Sequence, residues 1–271
     1  MGQHWRPGGR QEGIYIFLCA LLENSHADKK KKQIITQAVV WPLQHAEKFT
    51  RLGLRPPRGL LLYGPPGCSK TTLVRVLVSE LRSAFYTLTP ADVYSSLVGD
   101  AERTVRAAFA RARATSPSIL FLDEIDVLVG GDRLGGSDGG GATDDVKSRV
   151  LLTLLAEMGG IEDADRRPVL VVAATNHPGK LDAALVRAGR IDRALYVWPP
   201  RADEHTAIVQ VYTRRMLLHT DRDDNGDLAA IAARLEGATG AEIEAVCREA
   251  ALASLRANAD AATMDHFQDA V

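Results

Sequence analysis

The chain has 271 residues, long enough for one large α/β domain and a small satellite domain, and its formal net charge is −1. This balance of 33 basic and 34 acidic residues excludes a global electrostatic field that would attract nucleic acid or anionic lipid. The three cysteines, Cys19, Cys68 and Cys247, form no CxxC pair, which excludes a disulfide framework and a cysteine zinc site and fits a reducing compartment.

The N-terminal segment, residues 1–27, shows no clear periodicity and stays unassigned. Its apolar run, 14–22, is shorter than the roughly 20 residues that a membrane-spanning helix needs. The run could imitate a secretory signal, but we favour a buried or partner-facing segment, or a non-native N-terminus created by truncation or a gene-model error. A helix predicted from Asp28 must end near Trp41, because Pro42 follows.

Short apolar runs then alternate with helical stretches. The runs predict strands at 59–63, 84–88, 118–122, 169–173 and 194–197. Helical spacing of apolar residues appears between them at 72–81, 102–115 and 146–158. This alternation predicts a mainly parallel sheet covered on both faces, which we assign to a large α/β domain over residues 28–200.

The pattern changes after Pro199 and Pro200, where strand signals vanish. Three helical stretches follow, at 203–217, 228–235 and 241–258. Thr239 and Glu242 have the spacing of a capping box, in which each residue satisfies the other at the start of a helix. Residues 201–271 are therefore predicted to form a small helical domain.

A glycine- and proline-rich stretch after the first strand has the spacing of a phosphate-binding loop (P-loop), 64–71. Backbone N–H groups of such a loop wrap phosphates, Lys70 reaches the β and γ oxygens, and Thr71 offers its hydroxyl to Mg²⁺. Ser69 stands where the pattern usually has glycine, and it carries a steric cost if its backbone is left-handed. The alternative is a turn without a ligand. The predicted nucleotide-binding residues are Gly64, Pro65, Pro66, Gly67, Cys68, Ser69, Lys70, Thr71 and Thr72.

The third predicted strand ends in two carboxylates, Asp123 and Glu124. A buried strand with acids only at its carboxyl end places them where ligands bind in α/β sheets. Asp123 is predicted to hold Mg²⁺, directly or through water, and Glu124 to orient and deprotonate the attacking water. A strand that simply ends in a helix cap would explain Asp123 but not the pair.

Polar residues after the fourth strand complete the predicted chemistry. Asn176 can hydrogen-bond the lytic water or the γ-phosphate, although a turn before Pro178 explains it equally well in isolation. Arg187 and Arg190 can stabilise the charge that develops in phosphoryl transfer. Surface ion pairs are the alternative for these arginines.

These four elements, followed by a small helical domain, resemble the AAA+ family of ring ATPases over residues 28–271. Within it the chain is similar to the Cdc48 and spermatogenesis-associated 5-like group, on Trp41-Pro-Leu, on 60–71 and on Val98-Gly-Asp100. The resemblance implies a P-loop NTPase (AAA+) fold of class α/β, with a parallel sheet flanked by helices and a small C-terminal helical lid domain at 201–271. It also implies ATP and Mg²⁺ as cofactors, and a chain that corresponds to the second ATPase domain as a fragment of a longer protein.

The resemblance assigns further residues. Arg187 and Arg190 act on the neighbouring protomer's nucleotide, and Leu97 and Val98 lie in the pore loop that grips substrate. The side chains or backbone expected against adenine are those of Ile208, Tyr212, Gly240 and Ala241. The implied partners are other AAA+ subunits in a homo- or hetero-hexamer and a protein or ribonucleoprotein substrate, without direct nucleic-acid or membrane contact. Large ribosomal subunit maturation and a cytoplasmic or nuclear location are expectations of the same kind.

Several positions depart from the family pattern. Leu97 replaces an aromatic residue, Ser69 a glycine and Glu242 an aspartate, and the stretch 157–160 lacks an aspartate that helps to carry signals between subunits. A second hypothesis is therefore a nucleotide-binding structural subunit of a heteromeric ring, with little hydrolysis of its own. A DNA-directed clamp loader lacks support, because no basic face is apparent.

Overall fold

The computed structural model describes residues 35–54, 56–81, 83–94, 100–130, 142–159, 169–214, 216–218 and 224–270. These residues form two compact units, which are described one at a time. Unit 1 takes its described residues from 35–64 and 73–196, and unit 2 takes them from 65–72 and 197–270. The domain limits 28–200 and 201–271 stay a prediction, and the segment 1–27 lies outside the described residues.

Unit 1 is built on a five-stranded parallel sheet with the order β2-β3-β4-β1-β5. Its strands are β1 Gly59–Tyr63, β2 Ala84–Leu88, β3 Ser118–Leu122, β4 Val169–Thr175 and β5 Arg193–Tyr196. All five predicted strands are confirmed, although β4 runs two residues further than the prediction of 169–173 and β5 lies one residue earlier than the prediction of 194–197. The strands β3 and β4 are buried along their whole length, which explains why they read as unbroken apolar runs.

The chain enters the sheet through short helical segments: a π-helix Thr36–Val40, then α1 Trp41–Gln44 and α2 Ala46–Arg51. Pro42 therefore does not end the helical structure at Trp41, because it lies in the first turn of a new helix. A proline is tolerated there, since the first N–H groups of a helix have no partner within it. The start of the predicted helix, 28–34, lies outside the described residues.

The helices that follow the strands are α3 Lys70–Leu81, α4 Pro90–Tyr94, α5 Ala101–Ala114, α6 Ile125–Val129 and α7 Ala142–Gly159. The predicted helices 72–81, 102–115 and 146–158 are confirmed as α3, α5 and α7. In α5, Val105, Phe109 and Ala112 are fully buried in the core with the sheet residues Leu120 and Leu122. This helical stripe packs with one side of the β-sheet and leaves arginines on the exposed side.

Besides the first residues of α3, unit 2 contains four helices among its described residues: α8 Ala202–Thr213, α9 Asp224–Arg234, α10 Gly240–Arg256 and α11 Met264–Ala270. The capping box is confirmed, because the Thr239 N–H donates to Glu242 Oε2 over 2.6 Å and the Glu242 N–H to Thr239 Oγ1 over 3.4 Å. Helix α8 stops four residues before the predicted end at 217. Helix α11 was not predicted, because Phe267 is its one buried apolar residue and a single residue shows no periodicity.

Across the described part of the chain, none of the helices has both the length and the apolar character needed to cross a membrane.

Candidate nucleotide-hydrolysis site

The P-loop begins at Gly64, directly after β1, and runs into α3. Within it the Lys70 ammonium is buried and donates a hydrogen bond to the Pro65 carbonyl over 2.7 Å. Gly67 adopts a left-handed backbone, with φ 76°. The loop therefore curls around the lysine, as expected of a loop that presents backbone N–H groups to phosphate oxygens.

Ser69 also has a left-handed backbone, with φ 57°. A side chain in this conformation costs about 1–3 kcal/mol relative to the common regions, and glycine avoids most of that cost. The sequence predicted a steric cost for Ser69 only if its backbone is left-handed. The structure meets that condition at the position that usually carries glycine. Ser69 is a strained residue in the middle of the predicted phosphate site.

The P-loop packs against the start of α10 inside unit 2. The Ala241 N–H donates to the Gly67 carbonyl over 3.2 Å. A Cβ added to Gly67 would lie 2.7 Å from Thr239 Oγ1 and 3.0 Å from Ala241 Cβ, so only glycine fits this contact. The structure thus brings together two sets of predicted nucleotide-binding residues, those of the loop and the pair Gly240 and Ala241.

Cys68 lies in the same loop with its side chain buried. Burial raises the pKa of its thiol above the usual value, and the charge of Lys70 opposes this only in part. The Sγ atom lies 3.8 Å from the Pro66 carbonyl, to which it can donate. The thiol is therefore protonated near neutral pH, and Cys68 acts as a small packing residue of the loop.

The predicted adenine-side residues Ile208 and Tyr212 lie on α8, with Ile208 buried and Tyr212 half-buried. Burial is the main cause that raises the pKa of the Tyr212 phenol, and the charge of Glu244 and a hydrogen bond to it raise it further. The neighbouring Cys247 is buried, which together with Glu244 raises its pKa to about 12. Tyr212 and Cys247 therefore stay protonated near neutral pH, and contact of Ile208 and Tyr212 with adenine stays a prediction.

The acidic pair of unit 1 follows the fully buried strand β3. The Asp123 N–H donates to the Leu88 carbonyl over 3.2 Å, which extends the pairing of β3 with β2. The Asp123 carboxylate accepts the N–H of Glu124 over 3.1 Å. Glu124 itself is exposed and left-handed, with φ 49° and ψ 48°. A non-glycine residue with this backbone is an outlier of the kind that clusters at functional sites.

A second polar contact lies two residues further on. Thr175, the last residue of β4, donates its hydroxyl hydrogen to Asp126 Oδ1 over 2.6 Å, and both residues are buried. The Thr175 hydroxyl oxygen in turn accepts the His177 N–H over 2.9 Å. Neither residue was among the predicted site residues. The signal was present, since Asp126 is a lone acid within the apolar stretch of α6.

The remaining predicted catalytic residues occupy different environments within unit 1. Asn176 directly follows β4 and is half-buried. Arg187 is exposed. Arg190 is half-buried, and its guanidinium donates to the Ala184 carbonyl over 2.7 Å, so it braces its own turn. The catalytic roles of all three stay predictions, and the local bond makes Arg190 the weaker candidate.

Two further predictions concern segments predicted to contact substrate or neighbouring subunits. The pore-loop residues Leu97 and Val98 lie outside the described residues. In the stretch 157–160, described up to Gly159, Glu157 is held by Arg113, whose guanidinium lies 2.7 Å from its carboxylate and donates to its carbonyl over 2.9 Å. The end of α7 is therefore anchored to α5.

The donor set fits ATP with Mg²⁺. Thr71 supplies a hydroxyl and Asp123 a carboxylate, which are hard oxygen ligands of the kind that Mg²⁺ prefers. Lys70 and the loop N–H groups suit phosphate oxygens. Lys70 and Thr71 belong to unit 2, and Asp123 belongs to unit 1.

Comparison with known proteins agrees with this chemistry. The model of the AAA family, ATPases associated with various cellular activities, matches residues 60–198, and the AAA+ lid domain matches residues 225–269. The chain is 46% identical over 245 residues to cell division control protein 48 homolog B of Arabidopsis thaliana, covering 90% of the chain and 39% of that protein.

Two other relatives extend the comparison. The chain is 41% identical over 268 residues to the ATPase family protein 2 homolog of Caenorhabditis elegans, covering 98% of the chain and 36% of that protein. It is 44% identical over 221 residues to human ATPase family gene 2 protein homolog A, covering 82% of the chain and 24% of that protein. The chain thus spans 24% to 39% of the length of these relatives.

Proposed function

This chain belongs to the AAA family of ATPases, and we propose that it hydrolyses ATP with Mg²⁺ inside a hexameric ring that remodels or unfolds protein or ribonucleoprotein substrates. The observation that carries the proposal is the arrangement at the carboxyl ends of two neighbouring strands. The exposed, left-handed Glu124 follows β3 and Asn176 follows β4, which pairs directly with β3. In parallel sheets this edge is where ligands bind.

Each residue then has a defined task. Bound Mg²⁺ would neutralise charge on the transferred phosphoryl group. Thr71 and Asp123 would hold the ion, and Lys70 would neutralise charge on the β- and γ-phosphate oxygens. Glu124 accepts a proton from the attacking water, for which its exposed position is suited, while Asn176 orients that water.

The proposal also covers the assembly in which the chain works and the process that it serves. We place the chain in a homo- or hetero-hexamer with other AAA+ subunits, with Arg187 reaching the neighbour's γ-phosphate. Its exposed position supports this role, because an arginine that acts on the nucleotide of a neighbouring subunit must extend from the surface. We further propose maturation of the large ribosomal subunit as the process and the cytoplasm and nucleus as the locations, on the sequence similarity to the spermatogenesis-associated 5-like group.

A nucleotide-binding structural subunit is the second candidate. The strained Ser69 favours it, because the loop of an active hydrolase gains from glycine at that position. The presence of Lys70, Asp123, Glu124 and Asn176 together favours hydrolysis, since a subunit that only binds nucleotide has no need of a base.

The test of the ring mechanism uses full-length chain or a complex in which rings have been verified. Arg187→Ala is expected to bind ATP normally and to hydrolyse it about 10³–10⁵-fold more slowly, because the finger acts mainly on the transition state. Mixing it with Lys70→Ala should restore part of the turnover, since the second variant offers Arg187 to an intact pocket. The matched control is Arg256→Ala, which removes an exposed arginine that pairs with Glu249 on the same helix. Lack of rescue in mixed rings, with wild-type activity in a monomer, contradicts the role in trans.

A further inference from the structure

We propose that Asp126 and Thr175 form a positioning pair that fixes the proton acceptor Glu124 relative to the water-orienting Asn176. The pair rests on the proposed function, because it acts on residues assigned to hydrolysis. Asp126 and Thr175 were not among the predicted site residues. In the proposed function they do not touch the reacting atoms and act only through Glu124 and Asn176.

The first argument is the chemistry of the contact. The Thr175 hydroxyl lies 2.6 Å from Asp126 Oδ1, at the short end of the range for a hydroxyl that donates to a carboxylate. Both side chains are buried, at 1% and 9% exposure, so water competes little with the bond. The contact is therefore stiff and sensitive to the loss of either partner.

The second argument is where the two residues lie. Asp126 is in the first turn of α6, two residues after Glu124, which is the residue that caps that helix. Thr175 is the last residue of β4 and directly precedes Asn176. The bond thus joins two segments 49 positions apart in the sequence, each of which carries a residue assigned to hydrolysis.

The third argument is that Thr175 is used twice. Its oxygen accepts the His177 N–H over 2.9 Å while its hydrogen is donated to Asp126. The hydrogen bond from the His177 N–H to the Thr175 hydroxyl therefore spans Asn176 and restrains the backbone on both sides of it. On the other segment, Glu124 has a left-handed backbone, which persists only where the surroundings hold it. The buried bond at Asp126 supplies such support.

The experiment compares four full-length variants, Thr175→Val, Thr175→Ser, Asp126→Asn and the control Ser118→Ala, in steady-state ATP hydrolysis. Thr175→Val keeps the shape but loses the hydroxyl, and we expect kcat to fall about 10- to 100-fold, since small misplacements of catalytic groups have effects of this size. The KM for ATP should stay unchanged, because nucleotide is bound by other residues. Thr175→Ser, which keeps the hydroxyl, should restore most of kcat.

The control is Ser118→Ala. Ser118 lies in β3, the strand that leads to Asp123, and its buried hydroxyl donates to the Ala112 carbonyl over 2.7 Å. A variant that loses a buried hydroxyl bond without a role in positioning should leave kcat at the wild-type value. If Thr175→Val does not fold, Asp126→Asn decides the question through the same split between kcat and KM, because a neutral amide holds the hydroxyl less firmly.

The outcomes separate the two proposals. A wild-type chain in verified rings that shows no hydrolysis overturns the proposed function. A wild-type chain that hydrolyses ATP, with kcat unchanged in folded Thr175→Val and Asp126→Asn, overturns the positioning pair alone. A fall of kcat in Ser118→Ala equal to that in Thr175→Val also overturns it, because the effect would then be one of general stability.

Discussion

The two ends of β3 carry polar residues that the fold treats in opposite ways. At the amino end, the hydroxyl of Ser118 is fully buried and is satisfied by the Ala112 carbonyl, six residues earlier in the chain. At the carboxyl end, Asp123 is only half-buried, and Glu124 is exposed and left-handed. The same strand therefore begins with a polar group that serves the structure and ends with carboxylates that face outward.

The difference shows where the fold retains strain. A left-handed glutamate costs about 1–3 kcal/mol, and nothing in a purely structural strand end requires it. Polar contacts just beyond the carboxyl end reach the ends of other strands, from Asp123 to Leu88 of β2 and from Asp126, in α6, to Thr175 of β4. Strain and non-local bonds coincide at one end of the strand, as expected if that end holds groups in a working geometry.

At the carboxyl end of β3, we expect the largest effect on ATP hydrolysis from Glu124→Gln. The amide keeps the shape of the side chain but cannot accept a proton from water, so hydrolysis should fall by about 10²–10⁴-fold. ATP affinity should stay at the wild-type value in calorimetry, because the glutamate does not hold the phosphates. Glu249→Gln, at an exposed glutamate on α10, is the control and should hydrolyse normally. Wild-type turnover in Glu124→Gln would place the base elsewhere.

A change of stability without a change of activity is expected at the other end of the strand. Ser118→Ala leaves the buried carbonyl of Ala112 without its side-chain donor and should lower the free energy of unfolding by about 1–3 kcal/mol. Urea unfolding followed by circular dichroism measures this. If the folded variant loses ATP turnover while keeping wild-type stability, the conclusion that Ser118 serves only the structure is wrong.

The smallest effect concerns the second strained position, Ser69. Ser69→Gly should raise the free energy of unfolding by about 1 kcal/mol, because glycine adopts the left-handed backbone without steric cost. Asn258→Gly is the control at another left-handed residue, with φ 52°, and should gain less because asparagine tolerates this region better. A loss of stability in Ser69→Gly would show that the serine hydroxyl contributes more than the strain costs.

The sequence predicted the sheet well because its signals are local. The buried strands read as apolar runs, and the capping box at Thr239 needs only residues three positions apart. The contacts that were missed join distant positions. Asp126 stands out as a lone acid in an apolar stretch, but no short window of sequence pairs it with Thr175 or pairs Gly67 with Ala241.

Backbone conformation was the other unpredicted property. The P-loop pattern made Ser69 a conditional case, because the cost of serine depends on an angle that spacing does not specify. The left-handed Glu124 had no signal at all, since glutamate has no preference for this region. Helix α11 was missed for the simpler reason that one buried phenylalanine, Phe267, shows no helical period.

The central claim, that the P-loop of this chain hydrolyses ATP, is tested most directly by phosphate release from the wild type and Lys70→Ala, prepared identically as verified rings with saturating ATP and Mg²⁺. The proposed function predicts continuous release by the wild type and background release by Lys70→Ala, because the phosphates lose the side-chain charge that the loop provides. Equal rates in the two proteins would contradict hydrolysis at this loop, and background release by both would identify the chain as the structural subunit.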